Sequence, residues 1–579
     1  MIQSEIIALL QGIIKAEKQW EYYEHTTEIA EKCEALTTGH GIDKYLHQFV
    51  RREDKEQFNQ RKLLTTHIVP SLVGSLNAIT KKAMRSPAVT REYFNESTDK
   101  LKKLKESDNQ YYAKSNVKQY LDDFGEIYQS IDPNAYIITE FMSTDGTKLA
   151  EPYPFIAWAE NIYYVNYDNG VLNYIVVTDA DDDIKEFTIY TASQNIKFTL
   201  TNKNFFCQEM GVKDIDGVFI TLINNKYYII TTPEPHNIGF VPAKIIGYVK
   251  DGETEGKTML PFWWGAYPYL RKLIKTVSEM DLSECLHAFP QKLIYTRRCN
   301  ALGCIAGYSA DGVICPVCKG TGKQIIHTTA SDVIEFPLPD TKEEMIDLAQ
   351  MILYVYPPID GLKFQDERID KLIKQAKEAV FNSDTYTRKE ISTTATGQNI
   401  GIQAVYDVVY PYAVNAVNLW AFVIETISLI TDTNEGLIIN ASVQRDFKFK
   451  TKEELISELQ AAKTAGANET VIRLLNDEII FAMYSEQPYE LKKYTIKDFF
   501  NPFSGKQPEE IIALITSALI PKEIKVLYAN FSNIFDEIEV ENADFYEFEI
   551  NKQREIVVNK IKEYVKKVDV TPPQFTLNA

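Results

Sequence analysis

The sequence predicts a mixed α+β protein, with helices towards both ends and a mostly antiparallel β region between them. Three observations carry that expectation. Apolar residues recur at three- and four-residue steps through the first 131 residues. From about 134 to 250 the chain changes to short β-branched and aromatic runs divided by turn signals. Beyond 451 it becomes a series of charged amphipathic helices that ends in a proline-containing tail.

Residues 1–36 read as helix, with Ile6, Leu9, Leu10, Ile13 and Ile14 on one face, and Thr37 to Gly41 break it. Residues 53–84 read as a second helical region through Leu64, Ile68, Leu72, Leu76, Ile79 and Ala83, with a kink expected at Pro70 and an end at Ser86-Pro87. Lys100 to Lys105 form a short basic face that is expected to be solvated, and 111–131 read as helix up to Asp132-Pro133. The strand-like runs that follow are AYIITEF, NIYYVNY, LNYIVVTD, EFTIYT, GVFITLI and KYYIITT, with turns at Asp168-Asn169-Gly170 and Asn224-Asn225. The acidic run Asp179 to Asp183 lacks the glycine and terminal glutamate of a calcium loop, so it reads as a solvated hairpin tip. Helices are expected over 266–290, 341–356 and 363–381, with Pro357-Pro358 between the last two. A polar stretch, 382–399, is too rich in Ser, Thr and Asn to bury and reads as a functional loop. A long apolar helix follows over 400–431, with a kink expected at Pro411.

Four of the seven cysteines fall in one short stretch, spaced Cys299-x4-Cys304-x10-Cys315-x2-Cys318. Two close pairs joined by a loop suit a tetrahedral zinc ion, and four thiolates leave no open position, so the site reads as structural. The flanks 291–298 and 323–329 look like strands, which predicts a β-ribbon with its tip pinned by metal. His287 and His327 lie nearby and read as bystanders. The stretch CPVCKGTG resembles one knuckle of the cysteine-rich region of DnaJ-type chaperones, but the HPD tripeptide of that family is missing, so the chaperone role is not carried over. Cys33, Cys207 and Cys285 are scattered, which fits a reducing compartment better than a disulfide framework.

The chain has 579 residues, of which 45 % are hydrophobic and 25 % charged, enough to bury cores in more than one compact unit. Its net charge of −19 counts against gripping nucleic-acid phosphates over a broad face. There is no run of roughly 18 or more apolar residues, so no membrane span is expected, and Glu5 with no basic segment argues against a signal peptide. The patterns GxxxxGK[ST], HExxH and GxSxG are missing and the histidines are dispersed, so no catalysis is expected.

Five stretches occur in a telling order. Residues 45–87 pass through Glu53, Phe58, Arg61, Val73-Gly74 and Arg85-Ser86-Pro87. Then come PYPFIAWAENIYYVNYDNGVLNYIVV (152–177), HNIGFVPAKIIGYV (236–249), EISTTATGQNIGIQAVYDVVYPYAVNAVNLW (390–420) and EELISELQAAKTAGANETVIRLL (453–475). Together, over residues 45 to 480, they resemble the portal proteins, the head–tail connectors of tailed bacteriophages. The resemblance implies a portal fold with 1–265 as wing, 266–290 as stem helix and 291–340 as clip. It further implies 341–381 as second stem helix and tunnel-proximal helix, 382–450 as tunnel-loop candidate and wing helix, and 451–579 as crown. The tunnel loop falls at either 357–364 or 382–399. The cysteine cluster departs from most portals, and its place implies that zinc stiffens the clip.

What the resemblance implies of function is a non-enzymatic homo-oligomeric ring of roughly twelve subunits, sited at one capsid vertex of the virion and assembled in the host cytoplasm. Double-stranded DNA would be packaged and ejected through it. Terminase, the major capsid protein and neck proteins would be its partners, and no membrane is involved. The other readings are a zinc-ribbon nucleic-acid-binding protein, another structural virion protein and, behind both, a zinc-dependent hydrolase, which would need an open metal position.

Overall fold

The computed structural model describes residues 3–570 except 50–52, 87, 110–114, 143–150, 180–183, 216, 232–234, 237, 288–291, 297, 324–332, 338–358, 383–394, 445–451, 485–486, 507 and 517–519. The chain divides into two compact units, one of Met1–Met84 with Arg91–Val443, the other of Arg85–Thr90 with Gln444–Ala579.

The first unit is built around a seven-stranded antiparallel sheet. Its spatial order is 162–168, 171–178, 186–191, 195–201, 226–231, 218–223 and 212–215. Two-residue alternation gives the sheet two apolar faces. Val176, Ile189, Ile196 and Phe198 point to one side, where Ile6, Leu10, Ile13 and Ile14 of the first helix cover them. Ile175, Val177 and Tyr190 point to the other, where Tyr136, Ile138 and Val241 close a second core. Tyr136 and Ile138 belong to a three-stranded sheet, ordered 243–245, 136–142 and 151–157, and Val241 to the approach to its first strand. The expected turns are present: Asn169 and Gly170, and Asn224 and Asn225, all have positive φ, as a tight hairpin turn between twisted strands requires.

Two predicted helices are each two. The first ends at Ala16, where Glu17 turns to φ 48°, and a new helix runs Tyr23–Thr38, closed by Gly39 in the left-handed region. Between them, the Trp20 N–H donates to the Tyr163 carbonyl at 2.9 Å, so the chain is pinned to the sheet instead of continuing as helix. The second region breaks into Lys55–Leu64 and Val69–Met84. Pro70 does not kink a helix. It sits in the first turn of the second one, where its missing N–H has no partner to lose. Asp54 and Gln57 form a reciprocal capping box at the start of Lys55–Leu64.

The long apolar helix spans Ala395–Ile430, starting within the stretch expected to be loop and running through Pro411. Trp420, Val423, Ile424 and Ile427 form one face of it, buried against Leu104, Tyr120, Ile137 and Ile246. By length and composition, Lys55–Met84 and Val405–Ile430 could each cross a membrane, although neither is an uninterrupted apolar run. The apolar content of 405–430 is accounted for by this buried face. The basic stretch after residue 100 is not wholly solvated: Lys100 meets Glu435 at 2.6 Å and Lys103 donates to the Thr431 carbonyl at 2.5 Å.

Arg61 is 1 % exposed. Its guanidinium donates to both Glu53 carboxylate oxygens at 3.0 and 2.7 Å, to the His47 carbonyl at 2.8 Å and to Ser278 Oγ at 2.8 Å. Those bonds hold the Glu53 carboxyl below the usual carboxylate range. Through Ser278 they tie the N-terminal helices to the helix Tyr267–His287.

The second unit is helical, with Lys452–Thr464, Glu469–Tyr484, Pro488–Phe500, Pro508–Thr516, Lys522–Ala529, Phe531–Glu541 and Ile550–Val570. Ile534, Phe535, Ile538, Phe545 and Val557 form its core. Lys493 and Lys497 meet Glu539 at 2.8 and 2.7 Å at the edge of that core.

Removing one partner of a buried ion pair leaves the other charge desolvated and alone. Glu53→Ala should therefore destabilise the chain by about 3–5 kcal/mol in urea unfolding, whereas replacing both residues, as E53Q with R61M, should cost less than E53A by itself.

Candidate metal centre

The site is carried by a pair of helices. Tyr267–His287 buries Leu270, Leu273, Ile274 and Val277, and Ile359–Phe381 packs on it, burying Leu372, Ala376, Val380 and Phe381. A Cβ on Gly265 would meet the Ala379 carbonyl oxygen at 2.9 Å, so only glycine permits this approach. The start of the first helix thus lies beside the end of the second. The pair is antiparallel, and the chain between the two leaves and returns at the opposite end. The resemblance implied 266–290 and 341–356 as the stem pair; 341–356 lies outside the described residues, and among the described residues Ile359–Phe381 packs on Tyr267–His287.

The ribbon expected between 291–298 and 323–329 lies largely outside the described residues; an antiparallel bridge joins Arg298 to Lys323, and Lys292–Thr296 also pairs in parallel with Val333–Pro337. Parallel strands need a long crossover where antiparallel ones need a tight turn. The cysteine module lies in that crossover, and the Arg298–Lys323 bridge closes its base. The second predicted flank, 323–329, falls outside the described residues beyond Lys323.

Within the crossover the four predicted ligands converge. The Sγ atoms of Cys299, Cys304, Cys315 and Cys318 all lie within 4.8 Å of one another. Cys299 and Cys315 are 3.9 Å apart and Cys304 and Cys318 are 3.6 Å apart. A zinc ion with Zn–S bonds of about 2.3 Å at tetrahedral angles sets its sulfurs ~3.8 Å apart. A disulfide would need about 2.05 Å. The donor set fits a zinc-type ion, and all seven cysteines are free thiols. Cys315 and Cys318 are buried, Cys299 and Cys304 partly so.

Local backbone geometry explains why the thiols meet. Ala306 and Gly307 after one pair, and Lys319 and Gly320 after the other, all take positive φ. These residues curl the chain so that N–H groups face sulfur: Ala301 to Cys299, Gly307 to Cys304, and Gly322 and Gly320 to Cys318. The two knuckles also touch backbone to backbone. The Cys315 N–H donates to the Gly307 carbonyl at 2.8 Å and the Cys299 N–H to that of Gly322 at 3.0 Å. A Cβ on Gly307 would run into the Gly320 carbonyl, so the contact requires glycine.

The thiols do not share charge evenly. Burial pushes Cys304 up to about 12, with the neighbouring thiols adding to it. At Cys318 burial acts in the same sense, but the Gly322 N–H and bonds from Cys304 and Cys315 outweigh it and bring the thiol down to about 7. The Ala301 N–H favours the Cys299 thiolate, yet that thiol still ends above its usual range. Four sulfurs this close cannot all ionise until a cation neutralises them, which is what a divalent metal supplies.

His287 ends its helix, and His327 lies outside the described residues. Asp179 accepts the N–H groups of Lys185 and Glu186 at 2.9 and 3.0 Å, consistent with a hairpin-tip role, and the rest of that acidic run is outside the described residues. One feature of the module was not foreseen. Leu302, Ile305, Tyr308, Val313, Ile314 and Val317 are all exposed, between 51 % and fully, so its apolar side chains face outward. The signal was in the sequence: six large apolar residues in a stretch whose interior is filled by cysteines.

The chain matches no family model and no curated protein.

Purified protein never exposed to chelator should contain one zinc per chain by elemental analysis. Cys318→Ser should lower this below half and make the three remaining module thiols react with a thiol reagent in the folded protein.

Proposed function

We propose that this chain is the portal subunit of a tailed bacteriophage, a ring-forming channel for double-stranded DNA. The observation that carries the reading is the antiparallel helix pair with a metal-binding module inserted at its far end. That is the stem–clip–stem order implied by the motifs at 45–87, 152–177, 236–249, 390–420 and 453–475. In this reading Tyr267–His287 and Ile359–Phe381 are stem helices, and the zinc module stiffens the clip. The tunnel-loop candidates in this reading remain 357–364, of which 359–364 are helical, and 382–399, of which 395–399 begin the long helix.

Two further properties support it. A net charge of −19 per chain, multiplied around a ring, would repel phosphates, so DNA could slide in either direction without sticking. The six exposed apolar side chains of the module suit contact with protein, such as terminase or neck proteins, better than contact with phosphates. That favours a clip over a nucleic-acid-reading zinc ribbon.

Light scattering and negative-stain imaging of the purified chain should show a ring of roughly a dozen copies with a central hole. A stable monomer or dimer that binds duplex DNA tightly at low salt, and loses binding in Cys315→Ser, would replace this reading with the zinc-ribbon one.

A further inference from the structure

A cavity of about 450 Å³ lies at the start of the Tyr267–His287 helix, remote in sequence from the cysteine module. Arg61, Arg271, Lys272 and Lys275 line it together with Tyr45 and Phe49, and no acidic side chain is among its lining residues. In a chain with 81 acidic and 62 basic residues, such a one-sided lining is unusual.

The four cations have different roles. Arg61 is neutralised by Glu53 and forms the wall. Arg271, Lys272 and Lys275 are exposed and can turn their charge to a ligand, and Lys275 has only a loose contact, 3.8 Å, with Glu279. Aromatic faces hold two of them in position: Lys275 Nζ lies 5.3 Å from the centre of the Phe49 ring, and the Arg271 guanidinium 5.8 Å from that of Tyr267. Tyr267 and Pro268, in the first turn of the helix, complete the wall.

This arrangement selects a ligand class. The Phe49 ring is already covered by Arg61, at 4.9 Å, and by Lys275, so stacking of a nucleobase is not its task. Three exposed cations lining one cavity exceed what one carboxylate needs. They match a multiply charged phosphate, and the volume has room for more than one such group. We propose that the cavity is a phosphate-binding site, whose ligand is either a free polyphosphate or a run of nucleic-acid backbone. The proposal does not depend on the portal reading.

Titration calorimetry on the full chain with inorganic tripolyphosphate tests it. Binding should be measurable at low salt, and R271A/K275A should weaken it at least tenfold, while Lys213→Ala, a remote exposed cation, should not change it. Both altered side chains are exposed, so an unchanged thermal unfolding curve will separate lost binding from lost fold. A 20-base-pair duplex that competes with tripolyphosphate identifies nucleic-acid backbone as the ligand, and a duplex that does not compete identifies free polyphosphate. No tripolyphosphate binding, or binding equally strong in R271A/K275A, overturns the proposal.

Discussion

The buried guanidinium of Arg61 fixes how this molecule's working parts are held. It is almost fully removed from water, and such a charge is tolerated only where partners satisfy it from several sides. Glu53 supplies the opposite charge, the His47 carbonyl and Ser278 hydroxyl supply further acceptors, and Phe49 and Phe58 cover its faces. Ser278 is the consequential partner, because it sits in the middle of the Tyr267–His287 helix. One end of that helix forms the cationic cavity and the other leads to the cysteine module. A single ion pair therefore sets the position of a rod that serves both sites.

The cysteine module shows what happens when a segment is too small to fold on apolar burial alone. About 25 residues cannot remove enough apolar surface from water to offset the entropy of ordering them. A metal held by four thiolates can supply that stability instead. Once the interior is sulfur and backbone, the large apolar side chains have nowhere to go but out, and six of them do. The glycines at 307, 320 and 322 belong to the same economy of space: the knuckles approach so closely that a Cβ at 307 or 322 has no room, and all three take positive φ.

Legibility in the sequence followed the range of the interaction. Five of the seven strands of the large sheet were readable because alternation and hairpin turns are local, as at Asp168-Asn169-Gly170, whereas 195–201 and 212–215 were not named. The cysteine ligands were readable because their spacing is itself the chelate. What escaped were events decided by distant partners. The helix break before Tyr23 depends on Trp20 reaching Tyr163, and no local residue announces it. The parallel pairing of Lys292–Thr296 with Val333–Pro337 could not be told from a hairpin by periodicity, since both have the same two-residue repeat. The cavity needed Phe49 and Arg61 to meet Arg271 and Lys275, more than 200 positions apart, and only the folded chain brings them together.

The charge pattern gives the two sites opposite relations to the rest of the protein. The chain is strongly acidic, so an approaching phosphate meets general repulsion, weakened beyond about 8–10 Å by salt. A cluster of three exposed cations against that background is a local inversion of the field. The cysteine module instead exposes apolar side chains, whose attraction is short-ranged and insensitive to salt. The helix joining the two regions has 21 residues, a span of about 31 Å. One helix thus carries the cation-lined cavity along its first turns and leads towards the cysteine module at its other end, and the Arg61 anchor in its middle ties it to the body of the first unit.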